Sequence, residues 1–84
     1  MKIYRYNGKC NISGQNIRNQ RDISRLSQEQ FAAKLQLVGL NLNQKAISRI
    51  ETGERVVTDY ELMIIAKTLC VSVYALLGSN NDEQ

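Results

Sequence analysis

Four side chains that can cap a helix, Ser27, Asn43, Thr58 and Ser72, each stand directly before a stretch whose apolar residues recur with helical period. Two of them are doubled into capping boxes. Gln30 follows Ser27 at three positions and Glu61 follows Thr58 likewise, so each pair can satisfy two of the amides that a helix start leaves without partners. Gly39, Gly53 and Gly78 stand at the far ends, where a left-handed residue closes a helix at low steric cost. Proline is absent. This punctuation leaves little choice but a chain of short helices.

The apolar spacing agrees. Residues 14–25 read as a first helix, with Ile17 and Ile23 set among Arg18, Arg21 and Arg25. Phe31, Ala32, Leu35 and Val38 fall on one face of a second helix that Gly39 ends. Leu40 and Leu42 lie in the connection and are expected to tuck against the core. The third helix runs from the Asn43 cap to about Thr52, with Ile47 and Ile50 inward. Leu62, Ile65, Ala66 and Leu69 form the inner stripe of the fourth, and Val73, Leu76 and Leu77 that of a short fifth. The expected architecture is all-α, a compact five-helix domain over residues 14–78, flanked by an N-terminal arm (1–13) and a frayed polar tail (79–84). Within the arm, Asn7-Gly8 is a dipeptide that often turns a hairpin, but an isolated hairpin is only marginally stable.

A chain of 84 residues, 43% hydrophobic, builds one modest core and no second folded unit. Its charge is uneven. Residues 1–55 hold ten Lys or Arg against four Asp or Glu, a net +6, whereas residues 56–84 carry a net −3. Basic charge gathered in one part of a small domain fits a polyanionic partner, although an unevenly charged solvated surface gives the same count. No apolar run is long enough to cross a membrane, and Met1 to Cys10 has no apolar centre of the secretory kind. The expected compartment is therefore the cytoplasm, with Cys10 and Cys70 reduced, a redox-sensing pair being the lesser alternative. With no histidine and no Cys-x-x-Cys, a metal site is not expected. No general base, phosphate-cradling glycine loop or paired carboxylate appears, so no catalytic residue, cofactor or small-molecule substrate is expected either.

The third helix carries the feature that points to a function. Gln44, Lys45, Ser48 and Arg49 share its outer face near the amino terminus. A helix fits the major groove of B-DNA, where Gln can bond adenine N6 and N7, and Lys or Arg can donate to guanine O6 and N7. Backbone amides at the start of the second helix can take a phosphate. Arg55 and basic side chains of the first helix, Arg18 among them, are placed for flanking phosphates.

Leu26-Ser27-Gln28-Glu29-Gln30-Phe31-Ala32 and Ala46-Ile47-Ser48-Arg49-Ile50-Glu51-Thr52-Gly53 resemble the Cro/repressor-type helix-turn-helix family, also called the XRE family. Tyr60-Glu61-Leu62, Ile65 to Leu69 and Val71 to Leu77 resemble its fourth and fifth helices, in the same order. The resemblance spans about residues 14–78 and implies a lambda-repressor-like fold that binds double-stranded DNA. It implies DNA-backbone contact for Gln28, base contact for Gln44, Lys45 and Arg49 with Ser48 beside them, and a buried ion pair between Arg21 and Glu51. Two features depart from the family pattern. The connection between helices two and three, Gln36 to Leu42, is lengthened, which bears on the angle of the recognition helix. Cys70 stands where the family generally has glycine.

The leading expectation is a sequence-specific transcriptional regulator, a repressor, acting as a homodimer on two half-sites about one helical turn apart. Val73, Tyr74 and Leu77 are candidates for the dimer surface, as is the tyrosine-bearing arm, with core packing the alternative for Leu77. The arm has three readings: packed on the domain, reaching for DNA, or touching a second subunit. The rival function is a protein-binding adaptor or antirepressor on the same fold, its Gln44–Arg49 face docked on an acidic protein.

Overall fold

Side chains take over the free amides at the start of four helices. In a computed structural model that describes residues 4–78, α1 spans Gly14–Ile23, α2 Gln28–Leu37, α3 Gln44–Glu51, α4 Asp59–Thr68 and α5 Val73–Leu77. The expected frayed tail at 79–84 lies outside the described residues. Ser27 Oγ accepts from the Gln30 amide at 3.0 Å while Gln30 Oε1 accepts from the Ser27 amide at 2.9 Å, and Thr58 and Glu61 repeat the exchange. Asn43 caps α3 through the Ala46 amide, and Ser72 caps α5 through that of Ala75.

The carboxyl ends of α1 to α4 share one device. After each, a residue with positive φ turns the chain so that the next amide bonds a carbonyl five residues back: Leu26 to Arg21, Leu40 to Leu35, Glu54 to Arg49, Val71 to Ala66. Two of these turning residues are Gly39 and Gly53, but the others are Arg25 (φ 59°) and Cys70 (φ 60°). Cys70 thus holds the left-handed conformation for which glycine is suited, and Arg25 does so where no glycine marked the turn.

Ile17, Phe31, Leu35, Ile47, Ile50, Ile65 and Leu76 are almost wholly buried, with Ala32, Leu40, Leu42, Ala66 and Leu69 completing the core. A side chain of this size contributes about 1.5–3 kcal/mol when fully buried. Leu40 and Leu42 do anchor the lengthened connection, helped by Gln36 Nε2 donating to the Leu42 carbonyl at 3.2 Å. Two expectations fail. Ile23 is 71% exposed, since it lies six positions beyond Ile17, about 240° round the helix; Arg21 takes the inward place instead. Val38 is 59% exposed because α2 has ended at Leu37, and the turn at Gly39 hands the inward position to Leu40. Leu62, expected in the inner stripe of α4, does pack against the core while half-buried, and Glu61 beside it is buried.

Residues 6–11, ahead of α1, pack on the domain. Tyr6 and Lys9 exchange both backbone hydrogen bonds, at 2.8 and 3.0 Å, around Asn7 and Gly8. Those two residues have φ of 52° and 78°, the pair of positive values that a two-residue hairpin turn requires. So short a hairpin persists because it is not isolated: the Cys10 amide donates to the Gly53 carbonyl at 2.8 Å and Lys9 Nζ to that of Thr52 at 3.1 Å.

Candidate nucleic-acid interface

The site is built on α3 and on what holds it. Ile47 and Ile50 bury its inner side, Asn43 caps its start, and Gln44, Lys45 and Arg49 are exposed on the opposite side with Ser48 half-buried between them. The four side chains thus share one face, as their spacing requires. Among the described residues, neither Lys45 nor Arg49 belongs to a salt bridge, so both ammonium and guanidinium are available to an anionic partner.

Behind that face lies an ion pair. Arg21 reaches from α1 to Glu51 in α3 with two parallel bonds, Nε to Oε2 at 2.7 Å and Nη2 to Oε1 at 3.0 Å. Both residues are more than nine-tenths buried. Arg21 Nη1 also donates to the Leu26 carbonyl at 2.7 Å, which ties the turn between α1 and α2 to the same cluster. Its pKa is raised above the ordinary arginine value, chiefly by the hydrogen bond to Glu51, with burial opposing. Gln28 Nε2 donates to Glu51 Oε1 at 3.0 Å, so this side chain at the start of α2 is braced against α3. No buried side-chain nitrogen or oxygen among the described residues is left without a partner. The cluster is therefore satisfied, which is the condition for a buried charge to be tolerated.

Arg55 is engaged rather than free. Its two terminal nitrogens donate to Glu61 Oε1 and Oε2, each at 3.1 Å, and Nη1 also to the Val56 carbonyl. It lines a shallow groove with Lys45, Arg49 and Glu54. Burial pushes the Glu61 carboxyl up, but bonds from Arg55 and Thr58 outweigh it and leave the pKa below the usual glutamate value. Arg18 is exposed on α1.

Residues 17–76 match the family model for helix-turn-helix proteins of the Cro/C1 type. The chain belongs to that family. It is accordingly a DNA-binding helix-turn-helix domain, with an all-α fold. No curated protein and no solved structure matches it significantly. No helix among the described residues is long and apolar enough to cross a membrane.

Sequence reasoning missed Asn11, which bonds the end of α3 and the loop after it, and it missed the pairing of Arg55 with Glu61. A signal for the first existed in Asn11-x-x-Gly14, an amide side chain three residues before a helix start, next to a hairpin dipeptide. For the second, Glu61 had already been used as a capping-box residue, and one carboxylate can serve a backbone amide and a guanidinium together.

Proposed function

We propose that this protein is a sequence-specific transcriptional regulator that seats α3 in the major groove of double-stranded DNA and represses by occupying promoter sequence. The observation that carries the reading is the shared polar face of Gln44, Lys45, Ser48 and Arg49, its two cations in no salt bridge among the described residues, on a helix whose other side is fixed by apolar packing and by the Arg21–Glu51 pair. A rigidly held helix loses little freedom on binding, so its side chains meet base edges already oriented. Gln44 suits adenine, and Lys45 and Arg49 suit guanine. Gln28 and Arg18 contact phosphates. Arg55 adds to them only through the donors that Glu61 and Val56 leave over, and its larger part is to hold the loop after α3.

The working form is a homodimer, because one recognition helix reads too few base pairs to be selective. Tyr74 is 49% exposed on α5 between half-buried Val73 and Leu77, and Tyr6 of the hairpin is 66% exposed, so the two candidate dimer surfaces both present aromatic area. The protein acts in the cytoplasm, on the DNA there, without cofactor or enzymatic step.

The test is selection from a randomised duplex pool followed by titration of the winner at several salt concentrations. Enrichment of a two-fold-symmetric site with half-sites about one turn apart is expected. A folded protein that enriches nothing and shows no affinity for DNA overturns this reading in favour of an adaptor that docks the same face on an acidic protein.

A further inference from the structure

Asn11 occupies the junction where three segments meet, and every polar atom of its side chain is used there. Its Nδ2 donates to the Ile50 carbonyl at 3.0 Å and to the Arg55 carbonyl at 2.7 Å, and its Oδ1 accepts from the Gly14 amide at 2.7 Å. The first of these carbonyls lies in the last turn of α3 and also accepts from the Gly53 amide at 3.1 Å, so Asn11 adds a second, long-range partner to a local one. The second lies in the loop that lines the groove beside Lys45 and Arg49. The third contact satisfies one of the free amides at the start of α1, whose N-cap residue Ser13 makes no side-chain cap of its own. On the same side the hairpin adds the Cys10 amide to Gly53 and Lys9 Nζ to Thr52, so the carbonyls of Ile50, Thr52 and Gly53, in the last turn of the helix and just past it, are taken by one short segment.

We propose that Asn11, presented by the residue 6–9 hairpin, is a positioning residue for α3: it fixes the carboxyl end of the recognition helix and the following loop against α1, and so sets the register in which Lys45 and Arg49 meet base edges. The inference rests on the DNA-binding reading above. Its physical content is that α3 has only eight residues, too few to stand alone, and its direction depends on what grips each end. Asn43 and the buried Leu40 and Leu42 hold the start. At the end, Glu51 is held through its side chain by Arg21 and Gln28, and Asn11 is the side chain that grips the backbone there, joining the Ile50 carbonyl to the Arg55 carbonyl and the start of α1.

Two substitutions in the full chain separate its functions. Asn11→Ala removes all three bonds. Asn11→Asp keeps the acceptor for the Gly14 amide, preserving the start of α1, but has no donor for the carbonyls of Ile50 and Arg55. The readouts are native-state amide exchange and titration of a selected duplex against a scrambled one at several salt concentrations. Both variants are expected to exchange the Thr52, Gly53 and Glu54 amides about tenfold faster relative to those of α4. Both should lose about tenfold in preference for the selected duplex, and in the Ala variant, which adds no charge, affinity for the scrambled duplex and the salt slope should be unchanged. In the Ala variant, a loss shared equally by both duplexes, or a reduced salt slope, would make Asn11 a phosphate contact or a mere stabiliser and overturn the proposal. So would an Asp variant that behaves as wild type, which would reduce Asn11 to a cap on α1. If wild type itself selects no duplex, the DNA reading has failed, and amide exchange still decides whether Asn11 holds α3.

Discussion

Arg21 and Arg49 are both arginines on helices that meet at one cluster, yet burial sets them opposite tasks. Arg21 is 8% exposed and bonded to Glu51, Leu26 and, more loosely, Asp22 at 3.5 Å; Arg49 is exposed and in no ion pair among the described residues. Arg21→Ala strands the Glu51 carboxylate in the interior and should cost about 3–5 kcal/mol, a large part of the stability of so small a domain. A melting temperature equal to that of wild type would exclude that stabilising role. Arg49→Ala should leave thermal unfolding unchanged and weaken binding to the selected duplex by about 1–3 kcal/mol, measured by titration. Cys70 presents a third case at this scale. With φ at 60° it bears a left-handed strain of about 1 kcal/mol that glycine relieves, so Cys70→Gly is expected to hold or raise the melting temperature. A marked fall would show that the left-handed residue carries no strain for glycine to relieve.

The contacts between elements make the start of α1 and the end of α3 the least forgiving junction. Gly14 is buried there, and a Cβ on it would run into the Ile50 carbonyl and lie 2.9 Å from Asn11 Oδ1. Alanine ordinarily favours a helix over glycine by about 0.5–1 kcal/mol. Here the atom in the way is backbone, so Gly14→Ala should destabilise by about 1–3 kcal/mol in chemical denaturation despite that preference. On the far side of the same loop, Arg55, Glu61 and Thr58 join the 52–58 segment to α4. The Glu61 pKa is depressed in the folded state, so its contribution is fully present above the ordinary glutamate value of about 4.3 and is lost as pH falls through the folded value. Unfolding followed from neutral pH downward should show this loss below about pH 4, and Glu61→Gln should flatten that part of the curve while lowering stability near neutrality. An identical acid profile in the variant would remove Glu61 as its source.

At the scale of the molecule, charge and its compensation decide how the domain meets DNA. Ten of the eleven Lys and Arg residues precede residue 56, but Arg21 and Arg55 are consumed by internal pairs. The remaining cations, Lys45, Arg49 and Arg18 among them, are those expected to displace counterions. Affinity for generic duplex should fall linearly with salt on logarithmic axes, with a slope near −0.9 for each phosphate neutralised. Arg18→Ala should reduce that slope by about one while leaving sequence preference intact. An affinity unaffected by salt would point away from phosphate contact altogether.

The features legible in the amino-acid sequence were the local ones. Helix starts at Ser27, Asn43, Thr58 and Ser72, stops at Gly39 and Gly53, and the inward Phe31, Leu35, Ile47, Ile50, Ile65 and Leu76 all follow from capping chemistry and a 3.6-residue period. The polar face of α3 follows from the same period. Local rules reached their limit where a helix ended a residue early, as at Val38, or where an arginine took an inward place, as at position 21. Tertiary structure alone decided that Asn11 would meet Ile50 and Arg55, 39 and 44 positions away, and that a hairpin too short to stand by itself would persist against the end of α3. Periodicity records which side of a helix faces inward, but not which distant backbone group comes within 3 Å of a side chain; that depends on how all five helices settle around one core.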